Sequence, residues 1–79
     1  MNIILEVEVK LNYDGTLEYM NEEVYGPYST NEVQTKYEAL VDTTISRGYF
    51  DKVASRTSNR TRLSNGGTAT KYFIIKSLK

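Results

Sequence analysis

Residues 3–13, IILEVEVKLNY, alternate between apolar and polar side chains. Ile3, Leu5, Val7, Val9, Leu11 and Tyr13 take one parity, and Ile4, Glu6, Glu8, Lys10 and Asn12 take the other. A period of two predicts a strand with one wet face, and the uninterrupted apolar parity marks the face expected in the core. Asp14-Gly15 follows, a pair suited to a tight hairpin. The return strand begins at Thr16 with Leu17 and Tyr19 inward. Met20 and Val24 then suggest the opposite parity, which predicts a bulge or break near Asn21–Glu22. Gly26-Pro27 is expected to end this strand, because proline has no N–H to give a ladder and restricts the residue before it.

The period changes over Ser29–Gly48. Val33, Tyr37, Leu40, Val41 and Ile45 recur at spacings of three and four, the stripe of an amphipathic helix. Ser29 stands three residues before Glu32, the pattern of a capping box. Gly48 sits where a left-handed residue ends a helix, with Arg47 near the negative end of the helix dipole. Thr43, Thr44 and Ile45 weaken the last turn on propensity alone, so packing is expected to hold it.

Beyond Gly48, Tyr49 and Phe50 are expected to fold back on the helix. Residues 52–63 read as a third strand, polar and rich in threonine. Ser64-Asn65-Gly66-Gly67 is a hairpin turn, and residues 68–78 form a fourth strand whose Tyr72-Phe73-Ile74-Ile75 run is apolar on both faces. The element order β-β-α-β-β predicts an α+β domain of two layers, a four-stranded antiparallel sheet with one helix on one face. The most apolar strands, the first and the fourth, belong in the middle, in spatial order 2-1-4-3. A runner-up order joins the hairpins through other edges.

Composition narrows the chemistry. A chain of 79 residues is one domain. It contains no cysteine, so disulfides and thiolate metal sites are excluded. It contains no histidine, so the usual Ser-His and Cys-His nucleophile arrangements are excluded too. No apolar run approaches membrane length and no secretory leader pattern opens the chain, so the expectation is a soluble cytoplasmic protein with no membrane partner. No motif implies a cofactor or a metal, and none implies an enzyme. In size and composition, though not in any motif, the chain resembles small accessory proteins of phages and mobile elements.

Charge is divided along the chain. Net charge is +0, yet residues 1–43 hold nine acids and two bases, whereas residues 44–79 hold eight bases and one acid. Such asymmetry points to an interaction surface. Glu18, Glu22 and Glu23 on the second strand, with Glu32, Glu38 and Asp42 on the helix, are the candidates for docking on a protein partner. Pairing the last hairpin about Asn65-Gly66 puts Leu63 opposite Thr68 and Thr57 opposite Ile74. That register predicts a core face of Val53, Thr57, Leu63, Tyr72, Ile74 and Leu78. The opposite face then carries Lys52, Arg56, Arg60, Arg62 and Lys71 around Phe73, the candidates for nucleic-acid contact. Glu6 and Glu8 are expected on that same open face, beside Lys71 or Arg56. A pI near 6.2 is well below that of dedicated nucleic-acid modules.

The leading expectation is a small non-enzymatic protein that docks on a macromolecular partner, as an inhibitor or regulator of a host machine would. The alternatives are a nucleic-acid-binding module and a self-associating structural protein driven by its divided charge. Leu5, Val7, Val9, Leu40, Val41 and Ile74 are expected to be inaccessible.

Overall fold

A computed structural model describes residues 1–78. The elements are β1 (Asn2–Leu11), β2 (Leu17–Tyr28), α1 (Thr30–Ser46), β3 (Lys52–Arg56), β4 (Arg60–Ser64) and β5 (Ala69–Ser77). All neighbouring strands are antiparallel, in one five-stranded sheet of order β2-β1-β5-β4-β3. The α+β class matches the expectation from the sequence, with five strands in place of four. Residues 52–63 do not run as a single strand. Thr57 turns the chain back: its N–H donates to the Arg60 carbonyl at 2.8 Å, and its hydroxyl oxygen accepts from the Arg60 N–H at 3.1 Å. A threonine that satisfies its own local backbone in this way competes with a continuous ladder. β1 and β5, the two most apolar strands, lie side by side in the interior of the sheet.

The helix forms where its sequence signals fall. The Ser29 hydroxyl accepts from the Glu32 N–H at 3.2 Å, and the Glu32 carboxylate accepts from the Ser29 N–H and hydroxyl, completing the capping box. Gly48 adopts φ +86° just past the C-cap Arg47, a backbone conformation that glycine enters without a Cβ penalty. Val33, Tyr37 and Val41 are buried, and Leu40 and Ile45 pack at the margin. They close on Ile4, Phe50, Leu63, Ala69 and Phe73 to form the core. Burying a side chain the size of Leu63 or Phe73 contributes roughly 1.5–3 kcal/mol.

Two features of β2 depart from the sequence reading. The register slips opposite Glu8 and Val9, leaving Met20 as the extra residue, slightly before the expected position. The strand also continues through Gly26-Pro27 to Tyr28, with a second register shift there, a cis peptide and Gly26 at φ +118°. As an edge strand, β2 tolerates a proline because one side of it has no ladder to complete.

The larger correction concerns which side of the sheet the helix covers. Ser64 pairs with Thr70 and Leu63 with Lys71, whereas a two-residue turn would have set Leu63 against Thr68. The Asn65 side chain accepts from the N–H of Gly67 and of Ala69, and so builds a longer connection. The resulting offset is odd, which exchanges the faces of β5 relative to β4. Leu63, Arg60 and Arg62 keep the sides expected of them, whereas Lys71 and Phe73 move to the helix side and Tyr72 and Ile74 to the open one. The helix therefore covers Ile4, Glu6, Thr61, Leu63 and Phe73, while Leu5, Val7, Tyr72 and Ile74 turn away from it. Of the residues expected to be inaccessible, Val9 and Val41 are buried; Leu5, Val7, Leu40 and Ile74 are only partly so.

Candidate protein-binding face

Among the described residues, none forms a second layer on the side of the sheet away from the helix. Its middle is written by alternate residues of the two central strands: Leu5, Val7 and Val9 on β1, paired with Ile74, Tyr72 and Thr70 on β5. Leu17, Tyr19, Glu22 and Val24 extend it on β2, since directly opposed residues share a face. Leu17 is 64% exposed, Tyr19 76% and Val24 59%. Leu5, Val7, Val9, Leu17, Tyr19, Tyr72 and Ile74 line a shallow groove of 530 Å³, with Glu22, Arg60 and Lys76 at its rim. An apolar centre inside a charged rim is the anatomy of a protein interface. Large uncovered apolar patches on soluble domains mark sites of association.

Bases flank the groove on the β4 side. Arg62 pairs with Tyr72 and Arg60 with Ile74 across the β4–β5 ladder, and the Arg60 guanidinium stands 5.4 Å from the centre of the Tyr72 ring. That distance is within cation–π range. A polar recess of 340 Å³ adjoins it, lined by Ser55, Thr57, Asn59, Arg60 and Arg62.

The residues predicted as sites are divided between the two sides. Among the acids, only Glu22 lies on the open face. Glu18 and Glu23 pair with Lys10 and Glu6, which puts them on the helix side of β2. Glu32 is engaged in the capping box. Glu38 and Asp42 both hold Arg56, at 2.6 Å and 2.9 Å. Hydrogen bonds to Glu38 and then to Asp42 raise the pKa of the Arg56 guanidinium further above its ordinary value. The acidic helix surface is thus already paired within the molecule, and Arg56 leaves the basic set.

Among the bases, Arg60, Arg62 and, at the sheet edge, Lys52 share the open face. Lys71 does not: its Nζ lies beneath the helix, 3.0 Å from Glu6 and 3.7 Å from Glu8. Phe73 is fully buried in the core and has no open surface on which a base could stack. Tyr72, one residue earlier, holds the half-buried position on the open face, and the sequence reading missed it. The signal was present in β1. Its all-apolar parity pairs with Tyr72 and Ile74, so a sheet covered on one side only must leave one apolar parity uncovered.

Below the helix the polar groups are satisfied. Tyr25 donates its hydroxyl to Glu6 at 2.9 Å. Burial, and next the hydrogen bond to the Glu6 carboxylate, push the Tyr25 hydroxyl up to about 12. Tyr37 donates to the Thr57 carbonyl at 3.0 Å and shares a short hydrogen bond with the Thr61 hydroxyl; burial raises its pKa as well. Among the described residues no cluster of acidic side chains could hold a metal ion, and no helix is long and apolar enough to cross a membrane. Compared with protein-family models, curated proteins and solved structures, the chain matches none.

Proposed function

We propose that the chain is a small non-enzymatic binding protein that docks on a protein partner through the open face of its sheet, as an inhibitor or regulator would. The observation that supports this reading is the uncovered apolar parity of β1 and β5, Leu5, Val7, Tyr72 and Ile74, continued on β2 by Tyr19 and Val24. Water against these side chains is released when a partner covers them, at roughly 25 cal/mol per Å² of apolar surface. Tyr72 and Arg60 are residue types that anchor interfaces. A photoreactive phenylalanine analogue placed at Tyr72 tests the reading in cells that express the chain. A protein adduct at Tyr72, absent when the analogue replaces Glu38 on the helix, is expected. Equal labelling at the two positions, or none, would overturn it.

A second reading is contact with single-stranded nucleic acid. It is favoured by the stacked Arg60–Tyr72 pair and the adjoining recess of hydroxyls and guanidinium groups. Bases stack on aromatic rings while arginines neutralise phosphates. The aliphatic centre of the face favours the protein reading, because Leu5, Val7 and Ile74 offer no ring to a base. Salt-dependent binding of oligonucleotides that is lost in Arg60→Ala/Arg62→Ala would select the nucleic-acid reading.

A further inference from the structure

We infer that the occupant of the open face is a second copy of this chain, packed face to face about a two-fold axis that runs parallel to the strands between β1 and β5. This inference rests on the docking role of that face and names its partner. Three observations converge on it.

The first is extent. The axis superposes four strands, β2, β1, β5 and β4, with the overlap of β2 on β4 limited by the five residues of β4. At about 4.8 Å between strands and ~3.3 Å per residue, the facing footprint is on the order of 450 Å². That is below the ~800 Å² each partner contributes to an interface of ordinary size and belongs with the smaller, weaker interfaces, so the pair is expected to form in the micromolar range. The molecule measures 41 × 26 × 17 Å, its shortest dimension allowing one helix on one sheet. A second sheet about 10 Å below would complete a sandwich of ordinary thickness.

The second is where the apolar surface lies. Its half-buried middle lies on the β1–β5 pair, with Val7 opposite Tyr72 and Leu5 opposite Ile74, and its most exposed members, Leu17, Tyr19 and Val24, lie on β2. A two-fold axis along that seam lays β1 over β5 of the second copy and β5 over its β1. The β1 and β5 side chains of each copy then cover those of the other, and Leu17, Tyr19 and Val24 of β2 face β4 of the second copy, whose Arg60 and Arg62 offer their aliphatic stems.

The third is charge. On the open face the acid of the β2 edge is Glu22. The bases of the opposite edge that share the open face are Lys52 on β3 and Arg60 and Arg62 on β4. On the open face itself, one cross-strand row reads Glu22, Val7, Tyr72, Arg62. The axis along the strands reverses this row in the second copy and sets Glu22 against its Arg62 and Arg60. An axis across the strands would instead stack acid on acid and base on base, which disfavours that alternative. Net charge is +0, so two copies meet without overall repulsion. The arrangement is isologous and closes at two.

Sedimentation equilibrium from low to high micromolar concentration tests this with charge-reversed chains. Glu22, Arg60 and Arg62 are exposed, so their reversal leaves the fold in place. The parent is expected to be a dimer. Glu22→Arg alone and Arg60→Glu/Arg62→Glu alone should each dimerise about tenfold or more weakly. An equimolar mixture of those two variants should regain the parent's affinity, because both flanks then match again. Three results would overturn the inference: a parent that stays monomeric, open-ended growth with concentration (pairing of the β2 and β3 edges into filaments), or a mixture no tighter than its components. The crosslinking experiment separates the two levels. A monomer whose Tyr72 position labels a different protein keeps the docking face and removes the second copy. A monomer that labels nothing there removes both.

Discussion

Lys71 Nζ lies 3.0 Å from Glu6 Oε2 beneath the helix, with only 14% and 11% of the two side chains exposed. Glu8 is 3.7 Å from the same ammonium, and the Phe50 ring lies 5.0 Å below it. Lys71 is therefore the cation that lets two carboxylates stand on the covered side of β1. Lys71→Met should lower stability by about 3–5 kcal/mol, since it strands a desolvated carboxylate beside a second one. Glu6→Met/Lys71→Met, which removes both charges of the close pair, should lose less than the single replacement. Urea denaturation of the two variants checks the order, and a single replacement costing under about 1 kcal/mol would mean the pair is effectively solvated.

The ion pair on the outer surface behaves differently. Arg56 reaches Glu38 and Asp42, but their side chains are 42% and 66% exposed. Arg56→Ala should cost no more than about 1 kcal/mol, and the cost should shrink as salt is added. Parallel urea titrations at low and high ionic strength read this directly.

Tyr37 ties the helix to the β3–β4 turn through its hydroxyl, which meets the Thr57 carbonyl and the buried Thr61 hydroxyl. Tyr37→Phe keeps the ring and leaves Thr61 without its partner, at a cost of about 1–3 kcal/mol. Adding Thr61→Val removes the stranded hydroxyl and should recover part of that loss. A double variant less stable than Tyr37→Phe would show that Thr61 finds another partner.

The Tyr25 hydroxyl is held at about 12 against an ordinary 10.0, first by burial and then by its bond to Glu6. The folded state thus resists ionisation that the unfolded chain accepts. The stabilisation is complete below about pH 10 and is lost as pH rises through about 12. The stability gap between the parent and Tyr25→Phe should be constant up to the first value and close toward the second. In the ultraviolet titration of the seven tyrosines, the same replacement should remove one late-titrating group.

Much of the architecture is legible in local signals. Ser29 and Glu32 mark the start of the helix, Gly48 its end, and the apolar runs of β1 and β5 their interior places. What local signals do not carry is the side of the sheet the helix takes. β1 offers a clean apolar parity and a mixed one, and solvation alone assigns the clean parity to the core. The mixed parity is the covered one because groups distant in sequence make it tolerable: Lys71 pairs with Glu6 and lies near Glu8, and Tyr25 bonds Glu6. The register of the last hairpin depends in turn on the side chain of Asn65, which lengthens the connection and turns Phe73 inward and Tyr72 outward. Of the binding residues read from the sequence, Phe73 and Lys71 on β5 inherit that inversion, and Arg56 is moved to the helix side by the register shift between Val53 and Ser55. Arg60, Arg62 and Glu22 remain on the open face, whereas Phe73, Lys71 and Arg56 do not.

The inversion makes the two apolar parities distinguishable by experiment. Leu63 is fully buried, so Leu63→Ala should cost about 2–5 kcal/mol at any protein concentration. Leu40 packs only at the margin of the core, and Leu40→Ala should cost clearly less. Leu5 lies on the open face, where burial depends on a partner. Its truncation should be nearly silent in dilute protein and should grow more costly as concentration rises, because association stabilises the folded chain by mass action. Melting curves of Leu5→Ala and Leu63→Ala across protein concentration separate the two cases. A Leu5→Ala loss as large as that of Leu63→Ala in dilute protein would place β1's apolar parity in the core after all.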